Sequence, residues 1–275
     1  MYNIFTISEA KIIKTSFTIE KIKPFSEEEK DRFQRAIDTV SFYAKGLQGI
    51  GSYQEKSVHA VLKHYFAPDR SCQEIPVGQY VADAVKDGEI YEVQTKDFYR
   101  MKGKLDCFLK NYDITIVYPV IIEKTVRWVD PATGEVSEAL KSPRKGSIFS
   151  IFQELYGIKE YLKKKKLHFM MIFMNAEEYK LLDGYGKDKK RRATKADRVP
   201  TEFLGEYILD GKKDYKNLLP ESLPKQFTTK ELKSLTKCTT EQAQIFVNIL
   251  SFIGCIKEVG RQGRCKLYEI PGRKS

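Results

Sequence analysis

Histidine, paired cysteine and long apolar stretches are scarce in this sequence, and each scarcity excludes a class of protein. The 275 residues include three histidines and five cysteines, and no two cysteines form a Cys-x-x-Cys pair. We therefore expect no zinc site, because structural zinc needs about four such ligands close together. An odd number of scattered cysteines suits a reducing compartment better than a disulfide framework.

Apolar runs are too short for membrane insertion. No stretch of the sequence approaches the roughly 20 apolar residues that a membrane-spanning helix needs. Residues 1–20 also lack the apolar centre and the small-residue cleavage site of a signal peptide. We therefore expect a cytoplasmic protein with no membrane partner.

Acidic residues are outnumbered by basic ones. The chain has 48 Lys and Arg against 37 Asp and Glu, a formal net charge of +11. Residues 225–275 alone hold ten Lys and Arg and four Asp and Glu, so more than half of the excess lies at the C-terminal end. Such a balance favours a polyanionic partner, chiefly nucleic acid or an acidic membrane surface.

The order of the predicted elements is typical of an α/β protein. One helix follows Ser26, and a second, opened by Ser52, ends near Phe66. Strands are predicted at 75–85 and 90–95, joined by Asp87-Gly88, which is a strong hairpin signal. A helix at 101–109 and an apolar strand at 114–122 follow, although Pro119 suits a central strand poorly. From residue 53 onward, with two or three strands up to Thr95, this order reads as αβββαβ.

A basic stretch divides the chain into predicted domains. Residues 187–198 are dense in Lys and Arg and nearly free of apolar residues, which is typical of a linker. The sequence thus predicts an N-terminal extension at 1–25, an α/β core at 26–186, a basic linker at 187–224 and a C-terminal domain at 225–275.

Two carboxylates are predicted to face each other across the hairpin. With Asp87 and Gly88 as turn residues, Asp83 lies opposite Glu92. Side chains alternate along a strand, so Gln94 and Lys96 are expected on the same face as this pair. Opposed carboxylates repel each other unless a cation lies between them, and hard divalent ions bind carboxylate oxygens. The alternative is a solvent-exposed acidic pair without a function.

These residues resemble the PD-(D/E)XK nuclease superfamily. Asp83 is followed nine positions later by Glu92-Val-Gln-Thr-Lys96, in a hairpin between two helices. The superfamily includes type II restriction enzymes, Holliday junction resolvases and transposon end-cleaving nucleases. The resemblance covers about residues 50 to 125, and it implies a restriction-endonuclease-like αβββαβ core with a mixed sheet. By position, Asp83 matches the family aspartate, Glu92 the first acid of the signature, and Glu55 the helical glutamate of many members.

The sequence departs from the usual signature at Gln94, where most members have lysine. Some restriction enzymes carry Glu-x-Gln at these positions, and other members carry Gln-x-Lys, which Gln94-Thr-Lys96 also matches. Which carboxylate is primary stays open between the two alignments. Lys96 is expected to supply the missing cation, with Lys104 as a weaker substitute. The leading proline of the signature is also absent before Asp83.

The resemblance implies metal-dependent hydrolysis of phosphodiester bonds, with Mg²⁺ or Mn²⁺ lowering the pKa of a bound water. The implied metal ligands are Glu55, Asp83, Glu92 and the carbonyl of Val93. The implied catalytic set is Glu55, Asp83, Glu92, Gln94 and Lys96. His59 lies one helical turn beyond Glu55, and we expect it to be a packing or surface residue.

At the C-terminal end, Thr228-Thr-Lys-Glu231 predicts a capping box, a second helix follows Thr239, and a basic hairpin comes last. This pattern resembles a winged helix-turn-helix over residues 226–270. In that family the second helix enters the major groove of DNA and the wing touches phosphates. The implied DNA-binding residues are Gln242, Gln244 and Asn248 for base edges, and Arg261, Arg264 and Lys266 for phosphates. A winged helix that binds another protein is the alternative.

Together these patterns predict a metal-dependent DNA endonuclease that a C-terminal winged helix targets to DNA. The first alternative is a catalytically inactive DNA-binding regulator on a nuclease scaffold. An RNA-processing nuclease is a weaker alternative, because winged helices more often suit duplex DNA. DNA is the expected partner, and the sequence leaves a homodimer open.

Overall fold

The computed structural model describes residues 22–46, 56–185 and 192–273, and the side chains of residues 42–46 are not described. Glu55, Ser52 and most of the predicted N-terminal extension lie outside the described residues. The helices are α1 (Glu27–Gly46), α2 (Ser57–Phe66), α3 (Lys102–Phe108), α4 (Ile151–Gly157), α5 (Lys212–Asn217), α6 (Thr229–Thr236) and α7 (Thr240–Ile253). The strands are β1 (Gln73–Val77), β2 (Tyr80–Lys86), β3 (Glu89–Val93), β4 (Asp113–Val129), β5 (Leu140–Lys141), β6 (Leu167–Leu181), β7 (Thr194–Leu209), β8 (Gln226–Thr228), β9 (Lys257–Gln262) and β10 (Cys265–Glu269).

A large mixed sheet forms the centre of the molecule. Its order is β1-β2-β3-β4-β6-β7, and the short β5 pairs with the far end of β4. Strands β1, β2 and β3 form an antiparallel meander, whereas β3, β4 and β6 run parallel to one another. Strand β7 returns antiparallel to β6. The predicted α/β class is confirmed at this level, and the elements α2–β1–β2–β3–α3–β4 occur in the predicted order.

Helices cover both faces of the sheet. Ile114 and Ile116 of β4 are fully buried among side chains of α3 and α4. Val117 is buried on the opposite face, among side chains of α1 and α2. Burial of alternate residues on two faces explains why β4 is almost continuously apolar. In the part of the chain that the structure describes, no helix is both long and apolar enough to span a membrane.

The hairpin between β2 and β3 has the predicted turn. Asp87 and Gly88 have φ angles of 53° and 81°, and Lys86 pairs with Glu89 across them. Two successive positive φ values define the tight turn that matches the twist of a hairpin, which explains the Asp-Gly sequence. The ladder reaches Ala84 and Tyr91 and then ends.

Pro119 lies inside β4 without breaking a ladder. The pairing of β4 with β3 ends at Val117 and Val93, while the pairing with β6 continues past Pro119. The carbonyl of Val117 accepts from the backbone of Gln94 on the β3 side. Pro119 directs its backbone to the same side, where β3 has already ended, so its missing N–H removes no sheet hydrogen bond.

The basic linker predicted at 187–224 is wrong for the described part of that range. Residues 194–209 form β7, which pairs with β6 from Leu181 back to Phe169. Its charged residues resemble a solvated linker in sequence, but several are half-buried and paired with groups on other elements. Beyond β7, Leu218, Leu219 and Leu223 are also buried.

The C-terminal elements shield one end of the core. Strands β8, β10 and β9 form a small antiparallel sheet beside α6 and α7. Phe246 of α7 packs on Phe149 and Phe152, with ring centroids 5.2 and 4.3 Å apart. One continuous hydrophobic cluster runs from β4 through α4 to α7. The boundary predicted at residue 225 therefore does not separate two hydrophobic cores.

Candidate functional site

The predicted carboxylates lie where the β2–β3 ladder ends. The backbone N–H of Asp83 donates to Oε1 of Glu92 at 3.1 Å, and the backbone N–H of Val93 donates to Oδ2 of Asp83 at 2.9 Å. These bonds between side chain and backbone replace the next rungs of the ladder. The two acids are therefore close together, although they are not paired in the ladder as predicted.

Each carboxylate contacts a basic side chain from a different helix. Nε2 of His59, on α2, lies 3.1 Å from Oδ2 of Asp83. Nζ of Lys104, on α3, lies 2.6 Å from Oε2 of Glu92. Helices α2 and α3 pack on opposite faces of the sheet, so the partners converge from two sides. The alternation of side chains predicted a single acidic face instead. The arrangement differs because the β2–β3 ladder ends at the pair of Ala84 and Tyr91, before it reaches Asp83 and Glu92.

Burial makes this carboxylate pair electrostatically unbalanced. Glu92 is 2% exposed. Its burial, and then the negative charge of Asp83, raise the pKa of Glu92 to about 7 despite the nearby Lys104. Burial also acts to raise the pKa of Asp83, but the hydrogen bond and charge of His59 and the charge of Lys104 outweigh it and lower that pKa. Burial therefore disfavours the charged form of Glu92 at neutral pH, and a further cation at the pair would favour that form.

A divalent cation would suit these two carboxylates. Asp83 and Glu92 present carboxylate oxygens, which Mg²⁺ and Mn²⁺ prefer. Within residues 22–46, 56–185 and 192–273, no three His, Cys, Asp or Glu side chains are grouped as a metal site. The third implied ligand, Glu55, lies outside the described residues. The described residues thus supply two carboxylates of the implied set.

The lysine beside the carboxylates is Lys104, the residue considered the weaker substitute. The side chain of Lys96 is 76% exposed, and its ammonium lies 3.6 Å from Asp97. The side-chain amide of Gln94 donates to the carbonyl of Lys96 at 2.5 Å. His59 was not among the predicted site residues, because a helical histidine gives no local sign of which strand it contacts.

A large cleft adjoins the carboxylates. We name it the core cleft; its volume is about 1040 Å³, and His59, Val93 and Gln94 line it at the end near Asp83. Its walls also include β4, β7 and the loop at 144–147. Seven basic residues line it: Lys56, Lys96, Lys124, Arg144, Lys145, Lys195 and Arg198. Glu74 is the one acid among the described residues that line it. The cleft therefore suits an anionic ligand.

Strand β7 positions the helix that carries His59. The carboxylate of Asp197 accepts from the backbone N–H of Ser57 at 3.1 Å and also from the Ser57 hydroxyl. Nζ of Lys56 donates to the carbonyl of Ala196 at 2.5 Å. A carboxylate at a helix N-terminus satisfies an unpaired N–H and favours the helix dipole. The stretch predicted as a linker is thus part of the support of the candidate site.

A second cleft lies on the C-terminal elements. We name it the wing cleft; its volume is about 920 Å³, and α6, the start of α7 and β10 line it. It brings together the predicted residues Gln244, Arg264 and Lys266. Sequence analysis missed three lysines of α6 and its C-terminal end, which are Lys230, Lys233 and Lys237. The described residues that line this cleft include no Asp or Glu.

The other residues predicted to bind DNA lie elsewhere. The side chain of Asn248 accepts from Nζ of Lys159 on the core at 2.9 Å. Gln242 caps its own helix, because its side-chain oxygen accepts from the backbone of Thr239 at 3.0 Å, and it lines the core cleft. Arg261 is exposed on β9. The first turn of α7 therefore separates the core cleft from the wing cleft.

Comparisons with known proteins relate the site to a family. Residues 56–210, from just before α2 to the end of β7, match the family described as "Domain of unknown function (DUF8091)". The chain is also 28% identical over 226 residues to an uncharacterized protein of Treponema pallidum (strain Nichols), covering 81% of this chain and 89% of that protein. No solved structure matches it. The family match spans more than half of the chain, including Asp83, Glu92 and Lys104, and the chain therefore belongs to the DUF8091 family.

Proposed function

We propose that this protein is a metal-dependent DNA endonuclease of the PD-(D/E)XK type, which hydrolyses phosphodiester bonds. The observation that carries the proposal is the buried pair of Asp83 and Glu92, with a raised pKa at Glu92, beside a cationic cleft. The element order α2–β1–β2–β3–α3–β4 supports a restriction-endonuclease-like core. A raised pKa and an adjoining cleft are together typical of a functional site.

In this proposal, Asp83 and Glu92 hold Mg²⁺ or Mn²⁺. When bound, the ion supplies a water of lowered pKa and positive charge for the phosphate. Lys104 takes the role of the signature lysine, because its ammonium is 2.6 Å from Glu92 and can counter negative charge that develops on the phosphate. His59 is a positioning residue, since its hydrogen bond orients Asp83. Lys96 lines the core cleft and is available to a phosphate farther from the reacting bond.

The C-terminal elements support DNA targeting by a winged helix. The order α5–β8–α6–α7–β9–β10, with β8 and β9 on either side of β10, is compatible with that fold. We propose that duplex phosphates bind the wing cleft and Arg261. Base contacts then come from the exposed first turns of α7, where Gln244 lies, because Asn248 is bonded to the core.

A second candidate function is a catalytically inactive DNA-binding regulator. The observation that favours it is that both carboxylates already have basic partners, His59 for Asp83 and Lys104 for Glu92. Gln94 also replaces the usual lysine on β3. If these contacts are permanent, the core is a scaffold and DNA binding is the function.

Cleavage assays separate the two functions. We expect the full chain with Mg²⁺ or Mn²⁺ to nick or cut at least one of linear, branched and supercoiled DNA. Asp83→Asn and Glu92→Gln should abolish cleavage, because each removes a negative charge from the metal site. Glu135→Gln, an equivalent change at an exposed loop residue, should retain it. No cleavage of any DNA in either metal would favour the regulator, and cleavage of RNA alone would favour an RNA-processing nuclease.

A further inference from the structure

A second cluster of cations lies in the core cleft, on the extended part of the sheet. Its centre is Glu178 of β6, which is 3% exposed. Both carboxylate oxygens of Glu178 accept from Nζ of Lys124 at 2.9 Å, and Oε2 also accepts from Nη2 of Arg198 at 2.6 Å. Burial opposes ionisation, but the bonds and charges of Arg198 and Lys124 outweigh it and lower the pKa of Glu178 to about 2. Glu178 is therefore ionised and holds both cations in place.

The cluster has more positive charge than Glu178 can balance. Lys195 of β7 also lines the core cleft, so three cations here face one buried carboxylate. The ammonium of Lys195 makes no hydrogen bond or ion pair with the described residues, and its partial burial, followed by the charge of Arg198, lowers its pKa. Asp197 also attracts Lys195, but the burial of Lys195 and the charge of Arg198 outweigh this attraction. Clustered positive charges repel one another, and a bound anion offsets that repulsion.

We propose that Lys124, Lys195 and Arg198 form a phosphate-binding site, which holds a phosphate group of the nucleic acid strand. The proposal rests on the proposed function, since the strand is the one that Asp83 and Glu92 would cleave. A guanidinium and two ammonium groups match phosphate oxygens in charge and hydrogen bonding. Glu178 is a positioning residue, because it orders Lys124 and Arg198 before the phosphate arrives and so reduces the entropic cost of binding.

The phosphate group has two sources, the backbone of a strand and the phosphate at a strand end. Both have the same chemistry, so the probes must differ only at the end. Suitable probes are two single-stranded oligonucleotides of one sequence, one with a 5′-phosphate and one with a 5′-hydroxyl. Binding is measured with the full chain and without divalent metal, so that cleavage plays no part in the result.

The informative variant is Lys195→Gln, because it removes one positive charge and leaves the bonds of Glu178 intact. The matched control is Lys165→Gln, an exposed lysine in the turn before β6. We expect Lys195→Gln to weaken binding about tenfold and to reduce the slope of log K against log salt by about 0.7, the value for one phosphate that the protein no longer neutralises. Lys165→Gln should change binding less than about twofold. Thermal unfolding of each variant checks that the fold is kept.

The outcomes decide each proposal separately. Weaker binding of both oligonucleotides supports a backbone phosphate, and weaker binding confined to the 5′-phosphorylated one supports a terminal phosphate. Equal effects of Lys195→Gln and Lys165→Gln, or no binding by the unmodified chain, would overturn the site. If the chain cuts DNA while Lys195→Gln binds normally, the phosphate site fails and the nuclease stands. If the chain cuts nothing while Lys195→Gln loses binding, the nuclease fails and the phosphate site stands.

Discussion

At the scale of single residues, two lysines are candidates for one role beside the carboxylates, and their positions distinguish them. The ammonium of Lys104 lies 2.6 Å from Glu92, whereas that of Lys96 lies 3.6 Å from Asp97 on a side chain that is 76% exposed. A cation stabilises charge in a reaction only when it is close to where that charge develops. The geometry therefore favours Lys104 as the functional lysine.

We expect Lys104→Gln to lower the rate of DNA cleavage by about a hundredfold at saturating metal, a loss of the size found when one charge-stabilising group is removed. Lys96→Gln, which makes the same change in charge, should lower the rate less than about threefold. Single-turnover cleavage by the two variants measures the difference. The reverse order of effects would return the role to Lys96 and to the Gln-x-Lys alignment.

The sequence predicts the acids of the site better than their partners. Asp83 and Glu92 could be identified because a local turn signal, Asp87-Gly88, brings them together. Their partners, His59 and Lys104, lie on helices that reach the hairpin from opposite faces of the sheet. Those contacts depend on packing, which no local pattern in the sequence specifies.

At the scale of secondary-structure elements, β7 is the element that the sequence patterns predict least well. Lys195, Asp197 and Arg198 have the composition of a solvated linker. They nevertheless belong to a sheet, in which Asp197 accepts from Ser57 at the start of α2 and Arg198 pairs with Glu178 on β6. The hairpin, by contrast, was predictable because its turn residues and its pairing are adjacent in sequence.

The contact between β7 and α2 leads to a prediction about this element. Asp197→Ala should destabilise the protein by about 1 kcal/mol, the usual cost of losing a helix cap, and should also slow cleavage, because α2 carries His59. Asp69→Ala is a suitable control, since Asp69 caps a short turn through the N–H of Ser71 and contacts no site residue. Urea unfolding and cleavage rates measure both effects. Equal loss of activity in the two variants would contradict a specific role for Asp197.

At the scale of the whole molecule, two basic clefts offer two places for DNA. The wing cleft holds Arg264 and Lys237 beside α7, and the core cleft lies on the other side of the first turn of that helix. Deleting residues 225–275 is a poor test of their separate roles, because it would expose Phe149 and Phe152 of the shared hydrophobic cluster. Charge reversal at the surface is the cleaner test.

We expect Lys237→Glu combined with Arg264→Glu to weaken binding to all duplexes alike, because phosphate contacts carry no sequence information. The slope of log K against log salt should fall by about 0.9 for each phosphate that the variant no longer neutralises. Titrations of labelled duplexes at several salt concentrations measure both quantities. The double reversal of Lys164 and Lys165 to Glu, at exposed positions near neither cleft, provides the control. An unchanged slope would indicate that the C-terminal elements bind another protein.

The packing of α7 on α4 also determines what kind of product a nuclease of this shape would release. Phe246 joins the two parts of the chain through one shared core, which opposes independent motion of the two clefts. The distance between the cleft that binds a duplex and the site of cleavage would then be constant. The protein would cut at one offset from where it holds the DNA, and its products would end at uniform positions.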